Sequence, residues 1–217
     1  MADFAQRRRT MVDTQIRPSD VTSFTVIDAM LTVPREAFVP SGARDLAYVG
    51  GPIPLTAQRQ LMEPRTIAKM LETLDVTPSD LVLEIAPGTG YTTALLARMA
   101  EAVVAVEEDA DLARDAEAAL SAQEVDNAAL LTGPLAEGSA RNGPYDAVVA
   151  FAGVEQVPDA ILDQVKEGGR ILALFMDGAL GEVRMGVKTH GVISWHMEFN
   201  ATAPVLPGFA RTPGFVF

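Results

Sequence analysis

The chain has 217 residues, 48% of them hydrophobic, no cysteine, and a formal charge of −12 from 29 acidic against 17 basic residues. That is enough length for one domain with a substantial core, and too apolar a composition for a disordered chain. The charge argues against a general nucleic-acid binder, which needs a basic face to displace counterions, and the lack of cysteine excludes disulfides and thiolate chemistry.

Residues 5–12 read as a helix whose solvated end holds Arg7-Arg8-Arg9, the only basic run. The N-terminus lacks the apolar core of a signal peptide, and no apolar run approaches a membrane span, so a cytoplasmic protein without a membrane partner is expected. Ser19 or Asp20 is placed to cap a helix from Val21 to Leu31, which Pro34 keeps from continuing far. Residues 40–58 are rich in Gly and Pro and read as a loop. Pro64 suits the first position of a helix to Leu74, with Ile67, Met70, Leu71 and Leu74 on one face. After the turn Thr77-Pro78-Ser79-Asp80 the pattern alternates. Strands are expected at 81–85, 102–106, 128–132, 146–151 and 170–175, and helices at 91–99, 111–121 and 158–166. Alternation of this kind implies a parallel sheet with helices on both faces. Gly168-Gly169 turns into the last of these strands. Glu182 to Lys188 and Val192 to Phe199 are strand-like about Gly191, which predicts a terminal hairpin.

Chemistry concentrates at Val82-Leu83-Glu84-Ile85-Ala86-Pro87-Gly88-Thr89-Gly90-Tyr91. A buried strand ends in a turn where Gly88 and Gly90 permit sharp backbone geometry and close approach to a ligand, and a helix opens behind it. The next strand ends in Glu107, nineteen positions after Gly88, where an acid accepts hydrogen bonds from ribose hydroxyls. The third glycine of a dinucleotide fingerprint is Thr93 here, so that match fails. The acid ending the first strand, Glu84, points instead to S-adenosylmethionine, whose cationic methionyl end a carboxylate there serves. Tyr91 is placed either to pack on the cofactor or to pack within the protein. His190 and His196 lie near the hairpin without a third ligand or any cysteine, so no metal site is expected. No boundary splits the chain. A single domain over 1–217 is expected, with N-terminal helices and a substrate loop at 1–75, the cofactor-binding core at 76–175 and the hairpin at 176–217.

The chain resembles the protein-L-isoaspartate O-methyltransferase family. The resemblance rests on Met11-Val12, Gln15-Ile16-Arg17, Ala29-Met30, the string Val33-Pro34-Arg35-Glu36-Ala37-Phe38-Val39-Pro40, Ala47-Tyr48, Pro52-Ile53-Pro54, the Val82–Tyr91 motif, Pro144-Tyr145-Asp146, Val157-Pro158 and Gly168-Gly169. It covers roughly the first 175 residues. It implies a Rossmann-like class I methyltransferase fold of the α/β class: a mostly parallel seven-stranded sheet with an antiparallel C-terminal strand and an N-terminal helical extension. It also implies transfer of a methyl group from S-adenosylmethionine, leaving S-adenosylhomocysteine, to the side carboxylate of an L-isoaspartyl residue in a damaged protein or peptide. The cofactor residues it implies are Glu84, Ala86, Gly88, Gly90, Tyr91, Glu107 and Gly133.

Departures from the family pattern cluster in two places. The substrate loop, usually Gln-Thr-Ile-Ser, reads Arg59-Gln60-Leu61-Met62, so Met62 stands where the substrate-orienting serine is expected and has no hydroxyl. Val49-Gly50-Gly51 lack the acid that usually follows Tyr48. In the adenine region Gly-Asp-Gly becomes Gly133-Pro134-Leu135, losing a carboxylate and a backbone N–H. Ala86 replaces the first glycine of the cofactor turn. Arg59, Gln60 and Met62, in the loop from Thr56 to Met62 that also holds Gln58, are therefore the candidate catalytic positions, and an arginine there suits a substrate carboxylate. Two readings stay open. In one, the family reaction continues with another group holding the carboxylate. In the other, the chain methylates something else, such as a small carboxylate, or binds S-adenosylmethionine, another nucleotide or a protein partner without turnover.

Overall fold

The computed structural model describes residues 3–211. Helix α1 (Phe4–Met11) is capped by Asp3, whose side chain accepts from the Gln6 N–H, and the chain then continues as a π-helical turn over Val12–Ile16 and a 3-10 turn over Arg17–Ser19. Helix α2 (Phe24–Thr32) begins later than the Val21 expected from sequence, because Ser23 is the residue whose hydroxyl accepts the Val26 N–H. Residues 35–46 hold two short 3-10 segments. The Gly/Pro-rich stretch also contributes strand β1 (Ile53–Pro54), which pairs antiparallel with β2 (Gln60–Leu61) to form a small hairpin. Helix α3 (Pro64–Leu74) starts on its proline, as expected, and buries Ile67, Met70, Leu71 and Leu74.

The main sheet is built from β3 (Leu81–Ile85), β4 (Ala102–Glu107), β5 (Ala128–Thr132), β6 (Tyr145–Val154), β7 (Val165–Asp177), β8 (Leu180–Thr189) and β9 (Val192–Asn200), in the order β5-β4-β3-β6-β7-β8-β9. The first five run parallel; β7, β8 and β9 form an antiparallel meander at one side. Helices α4 (Tyr91–Ala97), α5 (Ala110–Ala122) and α6 (Asp159–Asp163) supply the crossovers. The expected helix at 158–166 is shorter, and β7 starts earlier than position 170. Val165 already pairs with Tyr145, and the Gln164 amide turns back to the Glu137 and Ala160 carbonyls.

The central strands are apolar on both faces, as strands covered by helices on both sides must be. One core cluster joins α3, α4 and the N-terminal helices to the sheet, and the other lies on the opposite face around Tyr145, Ile161 and Phe209. Beyond β9 the chain turns back. Val205 bridges to Gly153, whose N–H donates to the Pro204 carbonyl, so the C-terminal segment lies against the end of β6. Among the described residues, no helix is long and apolar enough to cross a membrane.

Candidate active site

Ligands of open parallel sheets lie at the carboxyl ends of the strands, beside a change in strand order. Here β3 is flanked by β4 on one side and β6 on the other, and the turn following β3 carries the glycine motif. Ala86, Gly88 and Gly90 all have positive φ, at 62°, 61° and 87°. The left-handed geometry explains the two glycines directly, whereas Ala86 adopts it at a steric cost.

Glu84 is 0% exposed. The Thr93 hydroxyl donates to its Oε2 at 2.5 Å, while its Oε1 has no hydrogen-bond partner among the described residues. Burial pushes this carboxyl up to about 7, against the opposing pull of the Thr92 and Thr93 hydroxyls. The residue that breaks the dinucleotide fingerprint, Thr93, thus holds the acid one residue before the end of β3.

Glu107 ends β4 and is also 0% exposed. Its Oε2 accepts from the Gly88 N–H at 2.9 Å, and its Oε1 from the Glu108 and Asp109 N–H groups at 3.0 and 3.2 Å. Gly133 follows β5 and donates its N–H to the Glu107 carbonyl, which brings the turn after β5 beside the ribose candidate. Glu84, Ala86, Gly88, Glu107 and Gly133 are therefore gathered at one end of the sheet. The Tyr91 ring is not at that turn. It is buried towards the N-terminal layer, with Phe38 edge-on at 5.8 Å and the Arg35 guanidinium at 4.9 Å, so interior packing accounts for it.

The substrate-loop residues separate. Arg59 reaches towards the strand ends: its Nη1 and Nη2 donate to Glu107 at 2.9 and 2.8 Å, and Nη2 also donates to the Ala86 carbonyl at 3.0 Å. A guanidinium so committed is not placed to receive a substrate carboxylate. Met62 is buried, and its carbonyl accepts from Arg35 Nη2 at 2.6 Å. Arg35 also donates to the Ala47 carbonyl at 2.8 Å, bracing the loop from beneath. Two cavities flank the loop. The outer one, about 880 Å³, is lined by Gln60, Met62, Arg65, Thr66, Glu182 and Asn200 among others. The inner one, about 10 Å³, lies between Arg59, Ala86, Phe151 and the returning segment at Ala203 and Pro204. Gln60 lines both.

Several parts of this site are not visible in the sequence. The most important are the Arg59–Glu107 pair, the Arg35 brace and the seating of residues 203–206. The one available signal is an arginine in a loop otherwise suited to small polar residues. His196 pairs with Glu198 at 2.8 Å, and among the described residues no group of three or more His, Cys, Asp or Glu side chains is placed to hold a metal.

Comparison with known proteins places the chain in a family. The model of the protein-L-isoaspartate(D-aspartate) O-methyltransferase family matches residues 6–185. The chain belongs to that family. A protein-L-isoaspartate O-methyltransferase of Koribacter versatilis is 37% identical over 172 residues, covering 79% of this chain and 78% of that one. Protein-L-isoaspartate O-methyltransferase 1 of Geotalea uraniireducens is 36% identical over 203 residues, covering 94% and 92%. A candidate protein-L-isoaspartate O-methyltransferase from Plasmodium falciparum, solved in complex with S-adenosyl-L-homocysteine, shares the fold with a TM-score of 0.80 at 17% identity, covering 95% of this chain and 99% of that one. Within the isoaspartate O-methyltransferase family, then, this member carries Arg59 and Met62 in its candidate substrate loop, and of the three candidate positions Gln60 lines both cavities.

Proposed function

We propose that the protein is an S-adenosylmethionine-dependent carboxyl methyltransferase acting on L-isoaspartyl residues of damaged proteins or peptides, in the cytoplasm and without nucleic-acid or membrane partners. The observation that carries this reading is the pair of buried carboxylates, Glu84 and Glu107, ending neighbouring parallel strands on either side of the Gly88–Gly90 turn. The unpartnered Oε1 of Glu84 suits a cationic donor at the methionyl end. Glu107 suits the ribose hydroxyls once Arg59 is withdrawn from it.

The cofactor supplies a methyl group on a sulfonium that is already a good leaving group. The acceptor carboxylate is ionised at neutral pH and is its own nucleophile, so no general base is required of the protein. Its contribution is alignment and exclusion of water. The Gln60 amide, at the junction of the two cavities, is the donor we assign to orienting the acceptor carboxylate as it enters from the outer cavity. Met62 and Phe151 supply apolar walls that keep water from the transfer path.

The test is incubation of the protein with an isoaspartyl peptide and methyl-labelled S-adenosylmethionine, scored as base-labile methyl ester. Ester is expected on the isoaspartyl peptide and not on its aspartyl counterpart, and Gln60→Ala should lower kcat/KM roughly tenfold, the loss of one orienting hydrogen bond. Ester on small carboxylates alone selects the different-substrate reading, which the absence of a hydroxyl at Met62 favours. No ester on any carboxylate, with binding retained, selects a silent nucleotide binder.

A further inference from the structure

Arg59 occupies the hydrogen-bonding capacity that a ribose would need. A carboxylate offers about four lone-pair positions. Glu107 already accepts from Arg59 Nη1 and Nη2, from Gly88 N–H, and from the Glu108 and Asp109 N–H groups. Its acceptor sites are therefore filled, and two of the donors come from a side chain rather than from the strand-end backbone. The loop bearing Arg59 seals the same place sterically. Leu55 Cδ1 lies 2.8 Å from where a Cβ on Gly88 would stand, so the open face that glycine provides is covered by a leucine. The Leu55 and Thr56 N–H groups both donate to the Arg59 carbonyl, and the Thr56 hydroxyl accepts from the Arg59 N–H at 3.1 Å, which makes the loop one tight unit. The space left beside Arg59 and Ala86 is about 10 Å³, against the several hundred that a nucleoside-sized ligand requires.

We infer that Arg59 is the residue that sets cofactor affinity in this chain: its guanidinium competes with the ribose diol for Glu107, and the β1–β2 hairpin must lift Arg59 and Leu55 together before a nucleoside enters. The inference rests on the assignment of the cofactor site above. Arginine is suited to this competition, because its planar fork matches both carboxylate oxygens, and with Arg59 only 8% exposed and Glu107 0%, solvent does not screen the pair. Removing the guanidinium leaves Glu107 its three backbone donors and releases the acceptor capacity that Arg59 holds. A glutamine at this position, as in the usual family loop, has no positive charge to offer.

The experiment is calorimetric titration of the full chain, Arg59→Gln and Arg59→Lys with S-adenosylhomocysteine. Binding to Arg59→Gln is expected to be at least tenfold tighter than to the unaltered chain, with Arg59→Lys between them, because lysine keeps the charge but lacks the two-point contact. Hydrogen exchange should show the Leu55 and Thr56 amides less protected in Arg59→Gln. Equal or weaker binding in Arg59→Gln overturns the inference, as does the absence of binding to all three chains. Should Arg59→Gln not fold, the lysine variant decides the same question by the same sign. The family reaction is scored separately: isoaspartyl ester from the unaltered chain with no affinity gain in the variants leaves the reaction standing and removes the latch. Tighter binding without any ester does the reverse.

Discussion

Ala86 carries a φ of 62°, a conformation that costs an L-residue with a Cβ roughly 1–2 kcal/mol. Ala86→Gly should therefore stabilise the fold by about 1 kcal/mol, the relief of strain exceeding the entropy that glycine adds to the unfolded chain; a urea melt would show the midpoint moving up without a change of slope. Glu84 gives a second residue-scale expectation. Its carboxyl titrates at about 7 in the fold and near the ordinary 4.5 when unfolded, so between those values the folded chain holds a proton that the unfolded chain has lost. The resulting stabilisation is full below pH 4.5 and disappears as pH rises through 7, an amount of about 3 kcal/mol. Glu84→Gln, which stays neutral throughout, should flatten that part of the stability–pH curve, and an unchanged slope would remove Glu84 as its source. Because Glu84 Oε1 has no partner among the described residues, affinity for a cationic methionyl group should rise as pH passes 7 and the carboxylate forms.

At the scale of elements, the returning C-terminal segment is held by close backbone approach to β6. A Cβ on Gly153 would stand 2.6 Å from the Ala203 carbonyl oxygen and 2.8 Å from that of Pro204. Gly153→Ala should push the segment off, costing about 1–3 kcal/mol, and limited proteolysis should then cut near residues 201–210 well before the rest of the chain. The parallel strands were legible in the sequence because each holds a short apolar run bounded by turn residues; β3, β4, β6 and the centre of β7 bury theirs on both faces, whereas the edge strand β5 does not. Glu84 and Glu107 were legible because they interrupt such runs at a fixed place, the strand end. The short α6 was not legible: its apolar spacing continues through Val165, and only the pairing of Val165 with Tyr145 in the folded chain ends the helix there. Arg59 was read as a substrate-side residue for a similar reason. Its partner lies 48 positions away, and nothing local in the loop states which half of the cleft its side chain enters.

For the whole molecule, the charge of −12 sets a long-range field that opposes acidic partners and draws in basic ones. Isoaspartyl peptides flanked by lysine should be methylated with higher kcat/KM than the same peptides flanked by aspartate, and the ratio should shrink as salt rises towards 0.5 M, where the Debye length has fallen to about 4 Å. A ratio insensitive to salt would assign the preference to local contacts in the outer cavity instead.

The strand order has a consequence for how the molecule assembles. In the β7–β8–β9 meander each strand meets its neighbour after a turn of two residues, Gly178-Ala179 and then His190-Gly191, so this part can zip together from local encounters. The centre of the sheet cannot: β3 meets β6 across a sequence separation of 65, as the Leu81 bond to Asp146 records. Loop-closure entropy makes such distant pairings slow. On the ribosome, β3 emerges long before the strand that will cover its second edge, and its run Leu81-Val82-Leu83 waits meanwhile with that edge open. The interval between the synthesis of β3 and β6 is therefore when nascent chains are most exposed to mispairing, and it is the period during which a holdase has most to protect.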